Sequence, residues 1–232
     1  MDPTLPRFEG GIILAQTAAG AEYEAMLAAT AERHRQYCEA NAIRLWQHVG
    51  VHRGTQSWHA TFNRIEMLRE LLSSDWHGWF LYLDADAVIR QMSFDIRRYL
   101  GRRQKFALVA ASGGSEDWMV NAGVFFLNLD DARARLIAAR WIQNVDMVIT
   151  DQLLEHSVSP WQPLANGDPF PDDQHLLQII LRDEPELLAS TLVDRDRTFN
   201  MTGSRFIRQY LRASGTPAER LAAIGRTIAE TA

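Results

Sequence analysis

Lysine is nearly missing from this chain. Of its 24 cationic side chains only Lys105 is not an arginine. Chemistry that needs an ammonium group has one residue to draw on. A single cysteine, Cys38, excludes an intrachain disulfide and any cysteine-rich zinc module. Beside Tyr37 and Glu39 it reads as a structural residue near a helix end. No apolar stretch approaches the roughly 20 residues that span a bilayer, and the first ten residues carry acids and prolines rather than a basic segment leading into an apolar one. A soluble cytoplasmic protein is the simplest expectation, with peripheral attachment at the inner membrane face left open. The net charge of −5 and a pI of about 5.8 leave no basic footprint for nucleic acid. Glycine-rich phosphate loops are lacking too. Ala111-Ser112-Gly113-Gly114-Ser115 has neither P-loop nor dinucleotide spacing and reads as a loop able to order over a ligand. There is no Pro/Gly/Ser-rich linker and no internal repeat.

What is present suits one large α/β domain over residues 1–232. The apolar share of 47% and seven tryptophans supply a sizeable core. Short apolar runs alternate with helical patterns. Strands are expected at Gly11–Gln16, Ala42–Trp46, Trp79–Leu83, Phe106–Ala111 and Val124–Leu127. Helices are expected at Ala21–Cys38, Ser57–Leu72, Ala132–Asn144 (capped by Asp130 or Asp131) and Asp172–Arg182. Thr216-Pro217-Ala218-Glu219 is a capping box with proline at the first helical position, opening a terminal helix over about 216–230. Alternation over the first 90 residues implies a mainly parallel, doubly wound sheet, whose ligands sit beyond the carboxyl ends of the strands.

Asp84-Ala85-Asp86 falls at such an end. Side chains two apart in an extended segment point the same way with Cβ atoms roughly 7 Å apart. Two carboxylates at that spacing suit a hard cation, Mn²⁺ or Mg²⁺, whose shell substrate phosphates complete. A solvated acidic turn is the plain alternative. A second functional reading is a haloacid-dehalogenase-type phosphatase, with Asp84 as nucleophile, Asp86 as general acid, Ser112 as a second motif and Asp172-Asp173 as the last. That chemistry wants a lysine between the second and last motifs, and Lys105 lies before Ser112. Among the histidines, His48 and His52 have i, i+4 spacing, but Val49-Gly50-Val51 reads as a strand exit and not a helix. His59 and His77 read as polar residues of the surface or core, and His175 follows the Asp172-Asp173 pair.

The segment Trp58-His59 … Arg64-Ile65-Glu66-Met67-Leu68-Arg69 … Trp79-Phe80-Leu81-Tyr82-Leu83-Asp84-Ala85-Asp86 resembles the galactosyl/mannosyl/xylosyltransferase family, typified by yeast Golgi α-mannosyltransferases and plant xyloglucan xylosyltransferases. Asn121-Ala122-Gly123-Val124-Phe125-Phe126-Leu127-Asn128 with Trp141 looks like its second block, and Asp172-Asp173-Gln174 like its third. The resemblance implies a GT-A fold, a UDP-sugar or GDP-sugar donor, a divalent cation, retention at the anomeric carbon, a saccharide or glycoconjugate acceptor, and a place in polysaccharide biosynthesis. On that basis the nucleotide-binding half is about 8–112 and the donor-sugar and acceptor half about 113–210.

By the same resemblance Asp84 and Asp86 would hold the metal, and Arg64, standing where the family commonly has lysine, would contact the donor. Asn121, Ala122 and Gly123 would lie beside the donor sugar, with glycine permitting close approach. Asp172, Asp173 and Gln174 would supply the catalytic groups, although Asp is also an ordinary N-cap. Trp118 and Met119 are candidates for an apolar acceptor platform. The family's late histidine is missing. The corresponding segment reads Phe199-Asn200-Met201-Thr202-Gly203-Ser204-Arg205-Phe206, leaving water, Asn200 or another group to complete the metal shell. Arg195, Arg197 and Arg205 could instead meet diphosphate oxygens. A catalytically silent nucleotide-sugar-binding protein is the alternative of another class, and a homodimer through the terminal helix is left open.

Overall fold

The computed structural model describes residues 7–156, 172–195, 197–200 and 203–231. Its strands are β1 (Ile12–Ala18), β2 (Arg44–Val49), β3 (Trp79–Asp84), β4 (Ala87–Ile89), β5 (Leu108–Ser112), β6 (Val120–Asn128), β7 (Thr191–Asp194) and β8 (Ile207–Gln209). The helices are α1 (Ala21–Ala40), α2 (Asn63–Ser73), α3 (Ile96–Gly101), α4 (Ala132–Val148), α5 (Asp151–His156), α6 (Asp173–Asp183), α7 (Pro185–Ala189) and α8 (Pro217–Glu230). The main sheet has the order β2-β1-β3-β6-β5-β7, and β4 pairs with β8 in a small antiparallel ribbon.

Every expected strand and helix is present, with shifted ends. The run Ser57–Leu72 divides: Ser57–Phe62 is a 3-10 turn and the α-helix starts at Asn63. The His59 ring caps the start of the 3-10 turn, its Nδ1 accepting from the backbone N–H of Thr55 (2.9 Å) and Gln56 (3.1 Å). Strands β1, β2 and β3 are parallel, as are β5 and β7, while β6 runs antiparallel to both β3 and β5. The connection from β5 to β6 is only Gly113 to Met119, too short for the crossover that parallel pairing needs.

Strand β3 is apolar without alternation because both faces of the sheet are covered. On one side Phe80 and Tyr82 meet Ile13, Phe125 and Leu127 under α2, α4 and α6, around the buried Trp141. On the other, Trp79, Leu81 and Leu83 meet Ile12, Leu14, Val124 and Phe126, together with Tyr37 and Cys38 of α1. Cys38 is thus a core residue, its thiol pushed up to about 12 by burial.

After β3 the chain turns through Ala85 and Asp86 and leaves the main sheet as β4. Ala85 fits there because it is small, buried against Ala18 and Leu27. The β4-β8 ribbon is held from behind by α1 and α8, whose Met26 and Ile224 enclose Val88 and Tyr210. Arg33 of α1 donates to the carbonyls of Ile89 (2.5 Å), Arg90 (2.6 Å) and Thr231 (3.0 Å), tying the ribbon to the end of the last helix. Thr216 caps α8 with the reciprocal Glu219 contact that the capping box implies. No helix among the described residues is long and apolar enough to cross a membrane.

Candidate functional site

A cavity of about 480 Å³ opens where β1 and β3 end. It is bordered by the Thr17–Ala19 exit of β1, the Asp84–Asp86 turn, residues 121–123 of β6 and residues 172–174 at the start of α6. Four segments far apart in sequence therefore meet on one hollow, at the strand ends where an α/β sheet leaves room for a ligand. Four carboxylates (Asp84, Asp86, Asp172, Asp173) and two guanidinium groups (Arg64, Arg212) line it.

Arg64 is the hub. It is buried on α2 and its fork reaches three acceptors at once. Nη2 donates to Asp84 Oδ1 (2.8 Å), Nε lies 3.2 Å from Asp173 Oδ2, and Nη1 donates to the Ala122 carbonyl. Its guanidinium also lies 4.2 Å from the centre of the Tyr82 ring. Burial works against its charge, but Asp173, Tyr82 and Asp84 raise its pKa overall. The planar five-donor head meets this geometry where a lysine would not.

Asp84 and Asp86 do not continue as an extended strand; Asp84 ends β3 and Asp86 lies in the turn. Asp84 Oδ2 accepts from Gln209 Nε2 (2.8 Å), while Asp86 Oδ2 accepts from Arg220 Nη1 of α8 (2.7 Å) in a pair almost sealed from solvent. Burial, and then the neighbouring Asp84 charge, push Asp86 up to about 7. Burial raises Asp84 as well, against the pull of Arg64 and Gln209. One oxygen of Asp86, Oδ1, and Gln209 Oε1 are buried with no partner in hydrogen-bonding geometry.

Gly123 makes this approach possible. A Cβ there would stand 2.4 Å from Gln209 Nε2, 2.5 Å from Asp84 Oδ2 and 2.6 Å from Gln209 Oε1. Two carboxylates and the two orphaned oxygens are the donors a hard divalent ion could use here, in competition with Arg64, Gln209 and Arg220, which already engage the acids. Among the described residues no three His, Cys, Asp or Glu side chains converge on one point. An ion here would need an amide, water or substrate oxygens beside the acids.

The third block divides its labour. Asp172 is the N-cap of α6, accepting from His175 N (2.7 Å), and keeps its carboxylate at the cavity wall. Asp173 is buried, accepting from Thr61 Oγ1 and paired with Arg64; burial pushes it up to about 6 despite Arg64. Trp141 Nε1 donates to the Asp173 carbonyl (2.9 Å) and fixes this helix start. Gln174 Oε1 accepts from Ala122 N (3.0 Å), joining the third block to the second.

Several expected positions lie elsewhere. Trp118 packs on the core and Met119 lies over Gly114; neither lines the cavity, whose aromatic residues are Tyr23, Trp58 and Tyr82. Arg195 pairs at the surface with Asp117 (2.7 Å), and Arg197 is exposed in a left-handed turn (φ 56°), both away from the hollow. Arg205 borders a separate shallow depression with Arg90. Asn200 and His175 do not line the cavity either. Met201 and Thr202 lie outside the described residues. Lys105 is exposed against Phe106 and Ser112 donates to the Gly114 carbonyl (2.8 Å), so the phosphatase arrangement is not assembled around Asp84.

Sequence reasoning missed Gln209, Arg212, Arg220, Tyr23, Thr17 and Thr61. The Thr216 box located α8, but only the tertiary packing shows which side of it Arg220 occupies.

No family model matches the chain, and no curated protein matches it. Among solved structures, a glycosyltransferase involved in the glycosylation of the major capsid of PBCV-1 is similar, with a TM-score of 0.64 and 15% identity over 94% of this chain and 100% of that one. A197 from STIV aligns with a TM-score of 0.41 and 11% identity over 87% of this chain and 86% of that one. The first likeness shows the fold: a GT-A-like mixed α/β arrangement, its mainly parallel central sheet flanked by helices.

Proposed function

We propose that this chain is a retaining glycosyltransferase, moving a hexose or pentose from a UDP-sugar or GDP-sugar to a saccharide or glycoconjugate with the help of Mn²⁺ or Mg²⁺. One observation carries the reading. The three sequence blocks that resemble the galactosyl/mannosyl/xylosyltransferase family converge on a single cavity at the strand ends. The PBCV-1 glycosyltransferase supports the same direction through its fold.

In this reading Asp84 and Asp86 hold the cation, which would neutralise charge building on the departing nucleoside diphosphate. Arg64 keeps Asp84, Asp173 and the Ala122 carbonyl in register, so it orients the site and touches the donor only at its rim. Asp172, at the cavity wall, takes the donor-sugar hydroxyls. Asp173 lies beneath, with its burial and raised pKa suited to holding Arg64 in place. Gln174 fixes the 121–123 backbone beside the sugar. Trp58 offers the apolar face that an acceptor sugar needs, in place of Trp118 and Met119.

Isothermal titration with UDP and GDP, each with and without Mn²⁺, tests this directly. Mn²⁺-dependent binding of one nucleotide is expected, weakened in Asp86→Asn beyond what its loss of stability, measured alongside, accounts for. Absence of such binding by either nucleotide would sink the reading. Donor turnover with an acceptor panel, followed by NMR of the product anomer, separates transfer with retention from a silent binding protein.

A further inference from the structure

Resting on the cation reading above, we propose that Gln209 is the third protein ligand of the ion held by Asp84 and Asp86. Its side-chain oxygen would complete what the acid pair begins.

The backbone puts Gln209 in place. In the β4-β8 ribbon it stands opposite Ala87, the residue after Asp86, and the next amide, Tyr210 N, donates to the Asp86 carbonyl (3.0 Å). Alternation along the strand then sends Tyr210 back toward Thr227 of α8 and Gln209 into the cavity. The side chain is nine-tenths buried, at 8% exposure, where an unsatisfied amide oxygen is costly. Its oxygen and Asp86 Oδ1 are two buried acceptors without a donor in hydrogen-bonding geometry, left over after Arg64 and Arg220 have paired with the acids, and a bound ion would satisfy both.

Two other candidates are set aside by their positions. Asp173 is committed to Arg64 and Thr61, and among the described residues no histidine lines the cavity. The absence of a side chain at Gly123 is what lets the amide and Asp84 approach one another.

The amide can serve both states of the site. Without an ion, Nε2 donates to Asp84 Oδ2 and offsets part of its charge. Turning the amide by half a revolution offers Oε1 in its place, at little steric cost because the two ends have nearly the same size. An amide oxygen is a hard, neutral ligand, so the set of two carboxylates and one amide favours Mn²⁺ or Mg²⁺ over Zn²⁺.

The test is Mn²⁺ binding to the full chain by electron paramagnetic resonance, with UDP or GDP present, which reads the ion independently of turnover. Gln209→Ala should weaken Mn²⁺ by about tenfold or more, read on protein whose fold is verified by circular dichroism. Gln209→Glu should restore or tighten it, and Gln209→His should shift preference toward Zn²⁺. If Gln209→Ala binds Mn²⁺ like the parent while Asp84→Asn and Asp86→Asn are weakened, the Gln209 assignment is overturned and the acid pair stands. If none of these changes alters Mn²⁺ affinity, or the parent chain binds none, the cation reading itself fails. Gln209→Glu, which keeps an oxygen at the position, decides the matter should Gln209→Ala fold poorly.

Discussion

Replacing Arg220 with methionine removes one guanidinium from a pair that solvent scarcely reaches, its two side chains 3% and 6% exposed. Asp86 would be left buried with its charge uncompensated. Breaking a buried pair from one side typically costs about 3–5 kcal/mol, a large part of the roughly 5–15 kcal/mol that holds a domain together. At roughly 2–4 °C per kcal/mol for a chain of this size, the melting temperature should fall by about 6–20 °C. The cost should depend on pH, with a definite sign. Asp86 has a folded pKa near 7, above its ordinary carboxylate value, so its ionisation counts against the fold as pH rises through that range. Without Arg220 the pKa climbs further. The penalty is therefore greatest near pH 8 and shrinks as acidification lets Asp86 take a proton. Urea unfolding at pH 8 and pH 6 of the parent, Arg220→Met, Asp86→Asn and the double variant gives the coupling as a thermodynamic cycle. A loss below about 1 kcal/mol at pH 8, or the same loss in the Asp86→Asn background, would refute the argument.

Three other expectations follow from the same contacts. His34 is buried as a neutral ring, with Nδ1 2.7 Å from Gln16 Oε1 and Nε2 accepting from Ile89 N, and burial holds its pKa down to about 3. Its contribution is present above its ordinary value near 6.5 and lost as pH falls toward 3. The parent should therefore lose up to about 1.4 kcal/mol per pH unit below 6.5 relative to His34→Gln; parallel stability curves would contradict this. Gly123→Ala forces a methyl onto Asp84 and Gln209, and should cost about 1–3 kcal/mol with a clear drop in Mn²⁺-dependent nucleotide affinity. Unchanged calorimetry would show that the two side chains need not meet there. Arg64→Lys keeps the charge and loses the fork, so it should destabilise the chain by about 2–4 kcal/mol, with Asp173 moving to a higher pKa in a titration followed by carboxyl NMR.

The central strands were legible because physics marks them locally. Trp79 to Leu83 is apolar without a break since both sheet faces are covered, and an acid directly after such a run has to lie at the end of the strand. Asp172 was legible as a helix cap for an equally local reason. What escaped was everything set by long-range pairing. Strand β8 is three residues, Ile207-Arg208-Gln209, with no periodicity to recognise, and its partner β4 is just as short. Gln209 therefore gave no signal, although it touches Asp84. Trp118 and Met119 stood out through closeness in sequence to Asn121, whereas the β5-β6 connection carries them away from the cavity and leaves Trp58 at its wall.

The separation of the partners in the chain has a consequence for folding order. Asp84 meets Arg64 across 20 positions, but Gln209 lies 125 positions from Asp84, and Arg220 lies 134 from Asp86. Contacts that distant form late, after the entropy of closing so long a loop has been overcome. The β1-β2-β3 layer with α1 and α2 needs only nearby sequence and can assemble first, leaving two acids at its rim without their distant neighbours. Docking of β8 and α8 then quenches that charge and completes the hollow in one event. The reverse follows under mild denaturant. Release of residues 207–231 should abolish the cavity while the sheet still resists exchange, so binding competence is lost before the fold is.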